Sequence, residues 1–421
     1  MANRLRVLWV SHLVPYPPMS GVLLRSHHLV RELARHADVD LTGFVQTAWL
    51  DRCFPGQDRA SALRDSLAAL SSFCTVRDFL PIPSETQVAG RPRLALASLL
   101  GGNAAVGWLR SPRMRDALIA TTAAQRYDLV HFDTVSLAQY RPIVASLPAS
   151  LGHHNIESHM LLRRAEHEPQ PVKRWLYHRE GERLLGYERD VIPWFDIHVT
   201  CSEVDSDRLR SIAPHPRVVS VPNGVDIAYF TPGATPPIAN TFVFVGTMDW
   251  YPNVDAMRFF VGEVWPALKA RIQDATMGVV GGNPPAWLRD AAAADPALRV
   301  YGFVDDVRPY LEGARIYVCP IRDGGGTKLK MLDAMAMARP IVAHPLAAEG
   351  LDVVDGEHVV FATTPADFID AIPRLLEDKA HLDALGRAGR ALVVERYSFA
   401  MLGRELARHF ETVAAARAAG A

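Results

Sequence analysis

Cysteine is scarce in this sequence. Cys53, Cys74, Cys201 and Cys319 stand far apart and form no Cys-x-x-Cys pair. That excludes the usual zinc-ligand spacing and leaves free thiols, which suit a reducing compartment. No apolar run reaches the roughly 18 residues of a membrane-spanning helix. The short apolar run at Leu5–Val10 has neither the length nor the ending of a secretory signal and reads as a first strand. A cytoplasmic protein is therefore expected. Net charge is missing too: 45 basic and 46 acidic residues leave −1, which gives no whole-protein pull towards nucleic acid. No G-x-G-x-x-G follows the first strand, and the order G-x-x-x-x-G-K-[ST] is absent. Both absences count against a dinucleotide cofactor and a P-loop. Neither a cofactor nor a metal is expected.

The sequence does offer 421 residues, of which 49 % are apolar. Single cores rarely grow past roughly 250 residues, so two or three domains are expected. Val7–Val10, Leu41–Val45 and Leu129–Phe132 read as buried strands, with a helical stretch around Leu29, Leu33 and His36 between the first two. Such alternation predicts βαβ units and parallel sheets. Residues 231–240, Thr-Pro-Gly-Ala-Thr-Pro-Pro-Ile-Ala-Asn, read as a linker. Beyond it a second series begins: Phe242–Val245, Met277–Val280, Val300–Phe303, Ile316–Cys319, Ile341–Ala343 and Val359–Phe361. The reading is α/β, with two doubly wound Rossmann-like domains, 1–232 and 233–397. The helical stretch at about 398–421 is a candidate to cross back onto the first. Ligands of open parallel sheets sit beyond the carboxyl ends of the strands, so two such sheets facing each other would form a cleft there.

Two segments stand apart. Residues 91–115 mix Arg91, Arg93, Arg110, Arg113 and Arg115 with Leu94, Leu99, Leu100, Trp108 and Leu109. They read either as helices with apolar inner faces or as a peripheral contact with a membrane. Residues 157–189 read as one long, charge-laced helical stretch with a solvated face.

The strongest local signal is Ile316-Tyr-Val-Cys-Pro-Ile-Arg-Asp-Gly-Gly-Gly-Thr-Lys-Leu-Lys-Met-Leu-Asp-Ala-Met-Ala. A buried strand ends at Pro320, glycines follow at Gly324, Gly325 and Gly326, and a helix is expected from near Thr327. Glycine lets the backbone approach a ligand without Cβ clashes, and a helix start presents unpaired N–H groups and partial positive charge. With Asp323, Thr327 and Lys328 beside it, the turn reads as a diphosphate cradle. The plain alternative is a strand-to-helix turn with no ligand.

From Tyr301 to Val342 the sequence resembles the donor half of family 4 retaining glycosyltransferases. It carries Gly302-Phe-Val-Asp-Asp-Val, then the glycine turn, then Leu332-Asp-Ala-Met-Ala-Met-Ala-Arg-Pro-Ile-Val. It is similar in particular to the branch of bacterial exopolysaccharide assembly, the PEP-CTERM-type sugar transferases. Phe244-Val-Gly-Thr-Met-Asp-Trp-Tyr-Pro-Asn-Val-Asp, Val221-Pro-Asn-Gly-Val-Asp and His153-His-Asn-Ile-Glu carry the same likeness. The resemblance implies a GT-B fold with the two domains facing across a cleft, the donor mainly on the second and the acceptor mainly on the first. It implies metal-independent transfer with retention, from a nucleotide-sugar to a glycan or lipid-linked acceptor, as a step of cell-surface polysaccharide synthesis. A peripheral place at the inner face of the membrane goes with such an acceptor.

Many members have an acidic pair seven residues apart; the second acid falls on Asp333, as a ribose ligand, and the first falls on the glycine triplet. Many also carry an Arg and a Lys after the first donor-domain strand, where this sequence has Gly246-Thr-Met-Asp-Trp. Lys328, Lys330, Arg322 or backbone must then meet the diphosphate. His131 falls near the family's sugar-contacting histidine, with Asp133 at the mouth of its strand. His154 and Glu157 are candidates for the acceptor side, against a capping role for Asn155 and Glu157. Gly21 lies after the first strand, where a close diphosphate approach and an ordinary turn compete. Asp249 and Asn253 bracket a strand-to-helix loop, Asn223 and Gly224 precede the linker, and Phe303 with Val304 marks the base contacts. Two other readings remain: a nucleotide-sugar 2-epimerase of similar plan, and a non-catalytic nucleotide-sugar-binding protein.

Overall fold

The computed structural model describes residues 4–19, 21–86, 90, 92, 102–215, 217–324 and 327–419. Two compact units are present. The first comprises residues up to Pro222 together with those from Leu402 onward; the second runs from Asn223 to Met401.

The first unit is built on a seven-stranded sheet: β1 (Arg6–Ser11), β2 (Asp38–Val45), β3 (Thr75–Pro81), β4 (Leu129–Phe132), β5 (Ala149–Gly152), β6 (Ile197–Thr200) and β7 (Val218–Ser220). The spatial order is β3-β2-β1-β4-β5-β6-β7, every pairing parallel. The central strands are buried on both faces, as a parallel sheet covered by helices requires. The edge strand β3 has only exposed and half-buried residues and carries no continuous apolar run.

The second unit repeats the plan with β8 (Thr241–Val245), β9 (Thr276–Val280), β10 (Leu298–Gly302), β11 (Ile316–Cys319), β12 (Ile341–Ala343) and β13 (Val360–Phe361). Their order is β10-β9-β8-β11-β12-β13, again all parallel. Phe242, Phe244, Ile316, Tyr317, Leu332 and Met335 are fully buried within its core. In each sheet the strand order reverses once, between β1 and β4 and between β8 and β11. At that reversal, neighbouring connections leave on opposite faces and open a crevice at the carboxyl ends.

Several expectations are revised. The chain passes between units at Pro222–Asn223, ahead of the proline-rich stretch. That stretch forms no element, yet it is tied to the second unit: Ile238 N–H donates to Gly313 O at 2.9 Å, and Arg390 Nη2 donates to Thr231 Oγ1 at 3.3 Å. Residues 157–189 are not one helix. Pro169 and Pro171 divide them into Glu157–His167 and Pro171–Val191, since proline has no N–H for the ladder and disfavours helix in the residue before it. In the 91–115 segment, Leu109 and Met114 are buried while Arg110, Arg113 and Arg115 are exposed, the pattern of a helix lying on a core. Arg91, Arg93, Leu94, Leu99 and Leu100 lie outside the described residues. No described helix is long and apolar enough to cross a membrane.

The helix Phe399–Ala419 completes the first unit from Leu402. Phe410 is fully buried, with its ring centroid 5.5 Å from that of His131; burying such a side chain contributes about 1.5–3 kcal/mol. The helix packs against Gly21–Leu33 at Gly403, where an added Cβ would stand 2.3 Å from Glu32 Cβ. Elsewhere in a helix, Gly→Ala gains roughly 0.5–1 kcal/mol. Gly403→Ala is expected to do the opposite and lower the unfolding free energy by about 1–3 kcal/mol, measured by urea denaturation; a gain in stability would refute the close contact.

Candidate functional site

Each reversal point carries a polar cluster, and the two clusters are opposite in character. In the first unit, β1 delivers His12, β4 delivers Asp133 and the chain after β5 delivers His154. Asp133 is buried, 3 % exposed. Its Oδ2 accepts from Ser26 Oγ at 2.9 Å and His12 Nδ1 at 3.1 Å, and its Oδ1 accepts from His154 Nε2 at 3.2 Å. Burial alone would raise its pKa; the imidazoles, His154 foremost, hold it well below the usual carboxylate range. An ionised Asp133 places the proton on Nδ1 of His12 and on Nε2 of His154. The other nitrogen of each ring is left as an acceptor, with ring centroids 5.4 Å apart. Beside them Thr134 Oγ1 donates to Glu157 Oε1 at 2.5 Å. Glu157 and Asn155 are therefore not the cap of the following helix, whose N-cap is Ile156.

His131 is placed differently. It is buried, its ring 4.0 Å from that of Trp9 by centroid, and its Nδ1 lies 3.0 Å from Ser150 Oγ. Burial lowers its pKa to about 3, so it is a neutral ring in the core at any ordinary pH. Gly21 is not in a loop: it opens the helix Gly21–Leu33. The same helix supplies Ser26 and the buried Arg25, which donates to Val221 O at 2.7 Å and Pro222 O at 2.8 Å. Sequence reasoning missed His12 and Ser26; the only signal for His12 was its place directly after a buried strand. Among the described residues, His12, Asp133 and His154 are also the one group whose ligand atoms lie close enough to hold a metal ion. Two imidazoles and a carboxylate suit a divalent transition ion, but the hydrogen bonds already account for their spacing.

In the second unit the turn after β11 is held from within. Asp323 Oδ1 accepts from Gly324 N–H at 2.6 Å. Gly324 has φ +94°, and a Cβ there would meet Pro252 Cγ at 2.8 Å; only glycine suits it. Gly325 and Gly326 lie outside the described residues. The helix opens at Leu329, two residues later than expected, and Thr327 precedes its N-cap, Lys328. Lys328 Nζ donates to Gly324 O at 2.8 Å and so latches the turn. Arg322 is committed to Asp255 at 2.8 Å and to the Phe259 ring. Lys330 is the third cation. Its Nζ donates to Asn253 Oδ1 at 2.5 Å, lies 4.9 Å from the Phe244 ring centroid, and would be 2.7 Å from a Cβ on Gly246. It thus stands at the carboxyl end of β8 and forms no ion pair within the 4 Å limit among the described residues. Burial lowers its pKa to about 8.

Asp333, one helical turn on, is half-buried, and its carboxylate has no hydrogen bond among the described residues. Burial raises its pKa to about 7. Asn253 is no cap; its Nδ2 donates to Thr247 O at 2.7 Å, bridging the loop to Lys330. Asp249 accepts from Thr247 Oγ1 and from Asn283 Nδ2, the latter at 3.2 Å. Phe303 follows β10 and is 69 % exposed, a large apolar ring left open to a stacking partner.

Asp133→Asn sets an amide NH2 among N–H and O–H donors. It is expected to lower the unfolding free energy by about 1–3 kcal/mol at pH 7, read by urea titration. Because the folded carboxyl has the depressed pKa, this advantage of the wild type persists down to the ordinary carboxylate range and fades only below it. Equal stability at pH 7 would remove Asp133 from its organising role.

Residues 239–378 match the family model described as glycosyl transferases group 1. A phosphatidyl-myo-inositol mannosyltransferase of Mycobacterium leprae is 28 % identical over 205 residues, covering 47 % of this chain and 54 % of that protein. A GDP-mannose-dependent monoacylated alpha-(1-6)-phosphatidylinositol monomannoside mannosyltransferase of Corynebacterium glutamicum is 26 % identical over 248 residues, 54 % of this chain and 64 % of that protein. The chain thus spans less than two thirds of the length of these curated relatives. In structure it is similar to a sucrose-phosphate synthase from Thermosynechococcus elongatus (TM-score 0.66, 17 % identity, 98 % of this chain and 100 % of that one). It is also similar to HepE from Anabaena in complex with UDP (TM-score 0.63, 13 % identity, 97 % and 100 %). At these identities the structures speak for the fold. Residues 239–378 carry the sequence features of a group 1 glycosyl transferase domain, and the chain has the GT-B plan of two Rossmann-like sheets.

Proposed function

We propose that the chain is a glycosyltransferase that passes a sugar, with retention of configuration, from a nucleotide-diphosphate sugar to a glycan or lipid-linked acceptor in cell-surface polysaccharide assembly. The observation that carries this reading is the Lys330–Asp333 arrangement: among the described residues, a cation without an ion pair at the end of β8 and, one turn along the same helix, a carboxylate without a donor. A ligand that satisfies both has an anionic group and neighbouring hydroxyls, as a diphosphate joined to a ribose does. The match to group 1 glycosyl transferases encloses both residues. The relatives' names, one specifying GDP-mannose, and the UDP in the HepE complex support a nucleotide donor.

In this reading Lys330, with backbone N–H groups of the glycine turn, stabilises the charge that grows on the leaving diphosphate. Lys328 keeps the turn in shape, which departs from a direct role on the phosphates. Front-face transfer lets the departing diphosphate take the acceptor proton, so no side-chain nucleophile is required. His12 and His154, their rings oriented by Asp133, offer polar contacts for sugar hydroxyls on the acceptor side. His131 supports that group from the core. A lipid-linked acceptor would place the enzyme peripherally at the inner face of the membrane.

Calorimetry with UDP and GDP, then with their sugars, tests the reading; no binding by any nucleotide diphosphate would sink it. Nucleotide release that needs no acceptor would point to the 2-epimerase, and binding without turnover to a non-catalytic protein. Affinity is expected to rise as Asp333 ionises near pH 7 and to fall as Lys330 loses its proton above about pH 8. Asp333→Asn should remove the acidic limb and Lys330→Met the alkaline one, each weakening binding roughly tenfold or more. Lys328→Met should weaken it less. Asp333 binds more protons folded than unfolded between about 3.8 and 7, so its ionisation costs stability as pH rises through that window. Asp333→Asn should therefore raise the thermal midpoint of the ligand-free protein at pH 8, more than at pH 5.

A further inference from the structure

The donor reading uses the carboxyl ends of the second sheet and leaves its amino ends unexplained. At the amino ends of β11 and β12 lies a cavity of about 210 Å3. Its charged lining is Arg315, Arg339, Arg387 and Asp383, between walls that include Pro237 and Pro340. Three guanidinium groups therefore face one carboxylate.

Each arginine is placed by a different element. Arg315 directly precedes β11 and pairs with Asp383, Nη2 to Oδ1 at 3.0 Å. Arg339 comes just before β12. Its Nε donates to Met337 O at 3.0 Å and its Nη1 to Ala314 O at 3.1 Å and Glu312 O at 3.2 Å. That grip fixes the plane of the guanidinium and leaves Nη2 without a hydrogen bond among the described residues. Arg387 lies one turn beyond Asp383 on the helix Lys379–Leu392; it is exposed and has no partner among the described residues. Burial first and Arg315 second lower the pKa of Arg339, and the carboxylates of Glu312 and Asp383 offset part of that. Asp383 neutralises one of the three. The Glu312 side chain lies against Gly233 and is not part of the lining.

Carbonyl capping explains how Arg339 is held, and the ion pair explains Arg315. Neither explains why a third arginine lines the same cavity with no counter-charge. Planar forks converging from several directions match the oxygens of a phosphate group, each able to give two parallel N–H···O bonds. The cavity is large enough for such an anion with its remaining water.

We propose that this cavity is a second anion site, binding a small phosphate-bearing anion such as orthophosphate or pyrophosphate apart from the donor site. β11 separates the two: Arg315 stands at its start and the glycine turn follows its end, about 13 Å of extended chain away.

The test is calorimetric titration of the full chain with orthophosphate and with pyrophosphate at low salt, beside titration with UDP and GDP. Arg387→Glu and Arg315→Gln are expected to weaken phosphate binding roughly tenfold or more and to leave nucleotide affinity within about twofold. Asp383→Asn, which removes the one negative charge, is expected to tighten phosphate binding several-fold, a direction that mere loss of an ion pair would not give. Lys330→Met should keep phosphate binding while losing nucleotide, so failure of the donor reading and failure of this one are told apart. Among the described residues Arg387 has no partner to lose, so Arg387→Glu is expected to stay folded, as circular dichroism checks. Absence of phosphate binding at millimolar concentration, affinity unmoved by Arg387→Glu and Arg315→Gln, or loss of phosphate binding with Lys330→Met alone would each overturn the proposal.

Discussion

Lys330 carries a charge into a half-buried place and meets there an amide oxygen and a ring face, not a carboxylate. Dipoles hold such a charge less well than an ion pair does, and the cost of desolvation stays partly uncompensated. Much of the second unit's reversal point follows from this. A Cβ at position 246 would stand 2.7 Å from Nζ and 2.8 Å from Asn253 Nδ2, so a side chain there would displace this pair. Asn253 must point inward, one end on Lys330 and the other on the Thr247 carbonyl, which ties the loop after β8 to the helix after β11. The ammonium is thus built into the carboxyl end of the sheet.

The first unit solves the reverse problem. Asp133 is buried more deeply, yet four donors surround it: Ser11, His12, Ser26 and His154. It is a finished structure whose product is orientation: two imidazoles locked into defined tautomers. One unit leaves a charge short of partners, and the other uses a charge to fix its neighbours. The first arrangement suits binding an ion; the second suits arranging hydroxyl groups.

Sequence revealed the elements more readily than the partnerships. The strand Ile316–Cys319, the turn and the apolar face of the next helix were legible because a buried run, glycine and helical spacing stand together there. β3 was not, since at a sheet edge none of its residues is fully buried and no apolar run marks it. The break at Pro169 and Pro171 was within reach of the rule for proline and was passed over because the charge pattern continues across it. His12 became visible only through strand order, which sets β1 beside β4 and so brings residue 12 to residue 133. Lys328, Lys330 and Arg322 were indistinguishable in sequence. Only their partners separate them: a carbonyl latch, an unpaired charge and a closed ion pair.

The chain passes between the two units twice, once after Pro222 and again at Leu402. Topologically, the second unit is an insertion into the first. A ribosome therefore releases every strand of the first sheet long before the helix that seals it, and the whole second unit is made in between. The second unit can complete its core while the first still waits with Gly403's partner surface and the Phe410 site uncovered. The order of synthesis and the order of completion are inverted, so a chain shortened at its carboxyl end would spare the unit nearest the cut and leave unfinished the one that was begun first.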